Sequence, residues 1–256
     1  MNRRVALILA AASVGALAGC DGVVGARMTF DDTETTKITE IVLTGGHGDV
    51  LVHGNASATE TRIRRVIRGD TDPKASYQRS GGVLTLNTDC GPDCSVSYEI
   101  TAPAGVAVRG ELTAGDLTLA GTGPVDLELT SGDVMVERAT GAVKVKATSG
   151  DVTVIGGTGV TVDTKSGDLM VDDVTGPLTA RATSGDMTLR LAAPSSVTAS
   201  LTSGDIDLMV PPGPYRVRTD ITHGSDEQIV GIPNDPKATN VLDVRTTNGD
   251  VSITAG

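Results

Sequence analysis

The sequence is poor in aromatic residues. Aromatics make up 2% of the 256 residues, Trp is absent, and Phe30 is the only Phe. Aromatic side chains bury more area than any others and usually dominate a core. The chain is long enough for one domain or two, but its core must be thin and aliphatic, built mainly from Val, Leu and Ala.

The chain has fewer basic residues than acidic ones. The chain has 21 Lys and Arg against 32 Asp and Glu, a net charge of −11. Loss of residues 1–19, which contain Arg3 and Arg4 but no acidic residue, would move the charge from −11 to −13. Binding to nucleic acid or to anionic lipid needs Lys and Arg patches that displace counterions. The charge therefore argues against nucleic acid as a partner and leaves cationic partners open.

A long apolar run is also missing. The apolar stretch from Val5 to Ala18 follows Arg3 and Arg4 and stops at Gly19-Cys20, short of the roughly 18 or more apolar residues that a membrane-spanning helix needs. A charged start, a short apolar stretch and small residues before a cut site are typical of a signal peptide. Residues 1–19 are therefore predicted to be a signal peptide and not a permanent anchor.

The end of this segment, Leu17-Ala18-Gly19-Cys20, resembles the bacterial lipobox. The resemblance implies that Cys20 is the lipid attachment site and the first residue of the mature chain. Because two or more acyl chains anchor a protein stably, we expect a lipid-anchored protein on the extracytoplasmic face of a cell membrane. Residues 20–36 are then the lipidated Cys and a flexible tether.

The two other cysteines are Cys90 and Cys94. In an exported protein this spacing favours a local disulfide across a Gly-Pro turn, and such a short loop pins the turn without adding much stability. The histidines are His47, His53 and His223, and none has the spacing of a zinc motif. We predict no metal site and no cofactor.

A short repeat fills the rest of the chain. A Gly-Asp step is followed by an apolar-x-apolar triplet, as in the six residues from Ser149 to Val154. Between Asp116 and Asp205 successive steps are 17, 18, 17, 18 and 19 residues apart. Self-similarity at a fixed short period is typical of solenoids. The aspartates are Asp49, Asp116, Asp133, Asp151, Asp168, Asp186, Asp205 and Asp250.

The columns of the repeat alternate with the period of a β-strand. Positions eight and six before each Asp and one after it are almost all aliphatic or Met, so we expect them to face inward. The position five before each Asp is expected to face solvent, and its charge alternates from Glu128 to Arg181. Opposite charges would then meet between stacked strands and bias the register. This column contains Glu111, Glu128, Lys146, Asp163, Arg181, Ser200 and Arg245.

Each repeat supplies two short strands and two turns, too little for a βαβ unit and too regular for a generic sandwich. The predicted fold is all-β, a parallel β-solenoid of 17–19-residue two-strand coils with a less regular N-terminal β cap. A β-sandwich is the alternative. We expect a single domain over 37–256, irregular over 37–105 and regular over 106–256 except for a break near 211–236. The irregular loop in that break is the expected place for a specific contact.

Two features have competing interpretations. In the turns, Gly supplies a positive φ and Asp can accept hydrogen bonds from nearby amides, but stacked carboxylates could also bind calcium, as in the nonapeptide repeats of calcium β-rolls. The Gly-Asp step occurs only once per coil here, which disfavours calcium. A basic strip is either solvated on the outer face of a strand or binds an anionic partner. The strip consists of Arg62, Arg64, Arg65 and Arg68.

No catalytic constellation is evident. The sequence has no Gly-x-Ser-x-Gly elbow and no phosphate-binding glycine loop. Polysaccharide lyases and hydrolases on β-helices need long loops to wall a groove, whereas these turns have about four residues. The protein is predicted not to be an enzyme, with a carbohydrate-active β-helix enzyme as the remote alternative.

The Ser-Gly-Asp-(Val/Leu/Ile/Met)-x-(Val/Leu) repeats and the strand-Pro-strand from Glu99 to Val108 resemble the bacterial putative-adhesin family of β-strand-repeat domains of unknown function, over residues 37–256. The resemblance implies an architecture and neither a ligand nor catalytic residues. With the anchor, it predicts a non-enzymatic envelope lipoprotein that binds or scaffolds a wall polymer, an envelope protein or an external surface. A calcium-responsive envelope module is the alternative.

Overall fold

The computed structural model describes residues 27–69, 76–91, 93–224 and 226–256. The described residues form strands and contain no helix. The strands are β1 Arg27–Glu34, β2 Glu40–Gly46, β3 Val50–Asn55, β4 Thr61–Arg68, β5 Tyr77–Ser80, β6 Val83–Thr88, β7 Ser95–Pro103, β8 Ala107–Ala114, β9 Leu117–Ala120, β10 Val125–Ser131, β11 Val134–Ala139, β12 Val143–Ser149, β13 Val152–Gly156, β14 Val160–Ser166, β15 Leu169–Val174, β16 Leu178–Ser184, β17 Met187–Leu191, β18 Val197–Ser203, β19 Ile206–Val210, β20 Tyr215–His223, β21 Glu227–Val230, β22 Asn240–Asn248 and β23 Val251–Ala255.

The strands form two stacked sheets. Sheet A has the order β1-β4-β7-β3-β9-β11-β13-β15-β17-β19-β23-β21, and sheet B has the order β20-β22-β18-β16-β14-β12-β10-β8-β2-β6-β5. From β8 to β19 successive strands alternate between the sheets, so each coil gives one strand to each sheet. Neighbouring coils pair in parallel, as β10 does with β12 and β11 with β13. The predicted all-β parallel solenoid is confirmed.

The register aligns equivalent positions of the sequence repeat. Val143 on β12 pairs with Val125 on β10 and with Val160 on β14. The columns expected to face inward are buried; Val145 and Val162, for example, are 0% exposed. Because strand side chains alternate between faces, one-residue slippage would expose this whole column, and the aliphatic pattern therefore fixes the register.

The core is a narrow aliphatic column between the sheets. Val152, Val154 and Val171 are 0% exposed, and burial of each such side chain contributes roughly 1.5–3 kcal/mol. The buried aromatic side chains of the described residues, Tyr98 and Tyr215, lie on β7 and β20, close to the two ends of the stack. The prediction of a thin, aliphatic core is confirmed, and the central coils bury no aromatic side chain among the described residues.

The order of the coils in space differs from their order in the chain at both ends. The β2/β3 coil lies between the β6/β7 coil and the β8/β9 coil, and the β22/β23 coil lies between the β18/β19 coil and the β20/β21 coil. The first and the last parallel coils of the chain are therefore covered on both sides by other coils.

The break in the sequence period near 211–236 is the coil at one end of the stack. Most of that segment was predicted to be an irregular loop, and this is wrong, because Tyr215–His223 and Glu227–Val230 form β20 and β21. They pair in parallel with β22 and β23. The period breaks because this coil lies outside the coil that follows it in the chain.

The predicted N-terminal cap is present at the other end. There β4 pairs antiparallel with β7, β1 pairs antiparallel with β4, and β5 pairs antiparallel with β6. The prediction of a flexible tether over 20–36 is wrong from Arg27 to Glu34, because these residues pair with Thr61–Arg68 along their whole length. The partly buried side chains of Met28 and Phe30 pack against the core.

Candidate functional surfaces

The aspartates of the repeated turns form a continuous ladder of hydrogen bonds. The backbone N–H of Asp151 donates to Oδ1 of Asp133 at 2.9 Å, and the N–H of Asp168 donates to Oδ1 of Asp151 at 2.8 Å. We expected these carboxylates to accept hydrogen bonds from nearby amides, and the amide that each one binds belongs to the adjacent coil. The same bond joins Asp49, Asp116, Asp133, Asp151, Asp168, Asp186, Asp205 and Asp250 in that order.

Sequence reasoning missed both ends of this ladder. At one end the N–H of Asp226 donates to Oδ1 of Asp250 at 3.0 Å, and at the other the N–H of Asp49 donates to Oγ of Ser97 at 3.2 Å. Asp226 could have been found, because His223 and Gly224 precede it as Asn248 and Gly249 precede Asp250, with one extra residue inserted. Ser97 carried no such signal.

The glycines before these aspartates form a second ladder. Their φ angles are strongly positive, a conformation that residues other than glycine adopt only at a cost. The values are +119°, +118°, +123° and +117° for Gly132, Gly150, Gly167 and Gly185. Each also lies against the backbone of the adjacent coil. A Cβ on Gly150 would lie 2.6 Å from the carbonyl carbon of Gly132. The positive φ that we predicted is confirmed, and close contact between coils adds a second reason for glycine.

We expect Asp151→Ala to lower the free energy of unfolding by about 1–2 kcal/mol, because the Asp168 amide loses its charged acceptor. Asp151→Asn keeps an oxygen at the same place and should cost less than about 1 kcal/mol. Urea unfolding of the two variants measures the difference. Equal losses for both would show that the carboxylate does not serve as the acceptor.

The ladder also bears on metal binding. Among residues 27–69, 76–91, 93–224 and 226–256, no group of three or more His, Cys, Asp or Glu side chains could hold a metal ion. The carboxylates follow one another once per coil, and in each pair one oxygen already accepts an amide hydrogen bond. The geometry therefore gives the calcium interpretation no specific support.

The outer face of sheet B carries the charge column that the sequence predicted. Glu128 pairs in register with Lys146, Lys146 with Asp163, and Asp163 with Arg181, so the stacking of opposite charges is confirmed at the level of the backbone. No ion pair within 4.0 Å joins these four described side chains. The neighbouring column does form one, between Lys144 Nζ and Asp126 at 3.3 Å. Such exposed pairs contribute little stability.

A shallow groove of about 450 Å³ lies on this face near the end formed by β20. It is lined by alternating charges and hydroxyls and has no aromatic side chain. A surface of this kind can hydrogen-bond to a polar polymer, but it offers no walled cavity. The polar lining includes Asp163, Arg181, Thr183, Ser200, Arg245 and Asp220.

The basic strip on β4 is largely neutralised by acidic neighbours. Arg62 pairs with Glu60 at 3.3 Å, and Arg64 pairs with Asp31 at 3.2 Å. These exposed pairs match the solvated interpretation of the strip.

Arg65 was expected with the others on the outer face, and this is wrong. Its side chain is 14% exposed and binds Asp32 at 2.8 Å and Ser76 Oγ at 2.9 Å. The guanidinium lies 5.0 Å from the ring centre of Phe30 and 5.2 Å from that of Tyr77. Arg65 therefore connects β1 and β4 to β5.

Burial raises the pKa of the tyrosines in the described residues. Desolvation raises the pKa of Tyr98 to about 12, and its single O–H donor is shared between the backbone carbonyl oxygens of Ser76 and Asn87. Burial likewise raises the pKa of Tyr215. The pKa of Tyr77 is raised first by burial and then by the carboxylates of Asp32 and Glu34. All three phenols are therefore neutral near pH 7 and act as structural hydrogen-bonding groups.

The remaining candidate residues do not converge on one site. Cys90 and Cys94 are joined by a disulfide, next to an open groove lined by His47 and Arg68. His53 lies on β3 and His223 on β20, near opposite ends of the stack. Cys20 lies outside the described residues, as do the predicted signal peptide and lipobox. Within the described ranges no helix is long and apolar enough to span a membrane.

The sequence of the repeat region matches a known protein family. A family model described as Toastrack DUF4097 matches residues 111–254, just over half of the chain. No curated protein matches the sequence.

Similar solved structures include two crystal structures. One is the crystal structure of a putative adhesin from Bacteroides fragilis, with a TM-score of 0.51 and 14% identity over 90% of this chain and 97% of that chain. The other, a putative cell adhesion protein from Clostridium sporogenes, has a TM-score of 0.34 and 12% identity over 90% of this chain and 100% of that chain. The first likeness shows a shared fold, and the second carries no argument.

Proposed function

The chain belongs to the Toastrack DUF4097 family, and on that premise we propose that it is a non-enzymatic, lipid-anchored envelope module that holds a stiff β-solenoid away from the membrane as a binding or scaffold element. One observation carries the proposal. The first described strand, β1, lies at one end of the stack, and β20 and β21 lie at the other. A lipid on Cys20 would therefore attach the protein by one end.

The described architecture supports a rod. Parallel pairing continues from coil to coil without interruption, and the aspartate ladder joins the same coils along one edge. At about 4.8 Å between strands, the stack is about 50 Å long. The acidic charge of the chain, −11 over all 256 residues, disfavours contact with an anionic lipid surface and favours a rod that projects from it.

The surfaces support a binding or scaffold role better than catalysis. Turns of about four residues leave the grooves of the described residues shallow, and the acidic and histidine side chains are spread along the stack. The outer face of sheet B instead presents repeated charges and hydroxyls at the spacing of the coils. Such a surface suits a polymer with hydroxyls and mixed charges, or another envelope protein.

The anchor is tested at Cys20. We expect Cys20→Ala, expressed in a bacterium with a lipoprotein pathway, to lose incorporation of a palmitate analogue completely, because the acceptor thiol is gone. Incorporation of the palmitate analogue is the deciding readout. Location at the membrane does not decide, because an uncleaved signal peptide would also hold the chain there. The matched control is the double variant Cys90→Ala/Cys94→Ala, which should keep the label. Undiminished labelling of Cys20→Ala would contradict the proposal.

A further inference from the structure

The end of the stack far from β1 carries two edge strands, each with one neighbouring strand among the described residues; the outer side of the one in sheet B is bridged only at Tyr215, by Asn234. The two edge strands are β20 in sheet B and β21 in sheet A. Such edges present rows of unpaired amide and carbonyl groups and are natural sites for pairing with another chain. We propose that β20 is a self-association edge: two copies pair β20 antiparallel about a two-fold axis at Thr219, which joins their stacks end to end.

The backbone of β20 is available for this pairing over part of its length. Alternate residues of a strand point their amide and carbonyl groups to the same side. The N–H of Val217 and the C=O of Tyr215 point away from β22, because they bond to Asn234 Oδ1 at 3.0 Å and to the N–H of Asp235 at 2.8 Å. Thr219 and Ile221 must therefore point the same way, and within the described chain nothing occupies their outward groups.

The side chains of β20 are complementary to themselves in one register. With Thr219 opposite its own copy, Arg218 lies opposite Asp220 of the second copy on the outer face. On the inner face Val217 lies opposite Ile221 of the second copy, which requires the Asn234 side chain to leave the outward N–H of Val217. Directly opposed residues of antiparallel strands are close enough to interact. By symmetry the dimer contains each of these pairs twice.

Neighbouring registers that keep the same faces are worse. A centre at Val217 would oppose Arg216 and Arg218, which repel each other. A centre at Ile221 would oppose Asp220 and Thr222 and leave Arg218 without an acidic partner. Charge complementarity therefore favours a second copy of this chain as the partner of the β20 edge, with Thr219 on the two-fold axis.

The same rotation covers apolar surface on sheet A. Ile229 and Val230 on β21 are 39% and 50% exposed, which makes them two of the few large exposed apolar residues of the described chain. Since β21 lies at the same end as β20, the two-fold axis brings β21 beside its copy. The joined sheets would then cover Ile229, whose side chain lies on the inner face in register with the buried Ile253. This inference does not rest on the lipid anchor, and where both hold, the two anchored ends lie at opposite ends of the joined stacks.

Charge reversal tests the register. The full-length chain is extracted in non-ionic detergent, and monomer and dimer are counted by native mass spectrometry over a range of concentrations. We expect wild type to dimerise, and Arg218→Asp and Asp220→Arg to raise the dimer dissociation constant at least tenfold each. Mixing these two variants places opposite charges at both contacts, so heterodimers should reappear. The double variant Arg218→Asp/Asp220→Arg should form homodimers again.

The matched control is Arg181→Asp, which makes the same charge change on the same face of sheet B but on the internal strand β16; it should dimerise like wild type. A wild-type chain that stays monomeric would overturn the proposal, and so would single variants that dimerise unchanged. If each single variant dimerises weakly and the mixture of the two forms no heterodimer, the antiparallel register centred on Thr219 is ruled out. Each outcome can be read whether or not Cys20 carries a lipid.

Discussion

Replacing Gly150 with alanine is expected to destabilise the central coils strongly. At φ +118° the new Cβ would lie 2.6 Å from the carbonyl carbon of Gly132 and 3.2 Å from Oδ1 of Asp133. A non-glycine residue in a disfavoured region costs about 1–3 kcal/mol by itself. Separating the coils to relieve the contact would also weaken the hydrogen bond from Asp151 to Asp133. We expect the free energy of unfolding to fall by more than about 3 kcal/mol, measured by urea unfolding.

The matched control is Gly159→Ala in the other turn of the same coil. Gly159 has no positive φ, and the nearest atom to its added Cβ, the Pro177 carbonyl oxygen, would be 3.6 Å away. This change should alter the free energy of unfolding by less than about 1 kcal/mol. If both variants lose the same stability, close contact between the glycine turns does not limit the stacking of the coils.

Replacing Arg65 with alanine is expected to release β1. The change removes the bonds to Asp32 and Ser76 and leaves Phe30 and Tyr77 without the cation between them. Breaking a fully buried ion pair costs about 3–5 kcal/mol; because the Asp32 side chain is 35% exposed, we expect about 2–3 kcal/mol here. Hydrogen exchange should show loss of protection along Arg27–Glu34, whereas the central coils keep theirs.

Arg64→Ala is the control for this experiment. Arg64 is the neighbouring residue on β4, is 53% exposed, and pairs with Asp31 at 3.2 Å and with Glu99 at 3.8 Å. Exposed pairs contribute about 0–1 kcal/mol, so β1 should stay protected. Equal loss of β1 protection in both variants would mean that the charge of the strip, and not the buried position of Arg65, holds the strand.

The regular coils could be predicted from the sequence because their chemistry repeats. The inward columns, such as Val143, Val160 and Leu178, carry aliphatic residues at a period that only stacked parallel strands satisfy. The order of the coils at the ends could not be predicted. Every coil presents similar edges to its neighbours, so nothing local marks β22 as the partner of both β18 and β20.

The N-terminal strand shows a different limit. Residues 27–34 alternate weakly and contain three acidic residues, so their sequence resembles a solvated tether. They form β1 because β4 offers a free edge and Arg65 offers Asp32 a partly buried partner. Both causes are distant in sequence and could not be read from the segment itself.

The candidate site was predicted in part. The positions of the ladder aspartates and the positive φ of their glycines could be read from the repeated turn, whereas the acceptor role toward the next coil depends on how close the coils approach. The charge column was placed on the correct face, but its side chains are too far apart to form the ion pairs that its alternation suggested. A side chain's reach depends on its rotamer, which strand periodicity does not determine.

The most direct test of the account is the height of the two ends above a membrane. The lipidated full-length chain would be placed at low density in vesicles, with one dye on Gln78→Cys in β5 or on Lys237→Cys near β20, and with energy-transfer acceptors at the lipid surface. An anchored, projecting rod predicts strong transfer from Gln78→Cys and a distance about 40–50 Å greater for Lys237→Cys. Equal transfer from both positions would mean that the stack lies along the membrane, which would contradict the proposal.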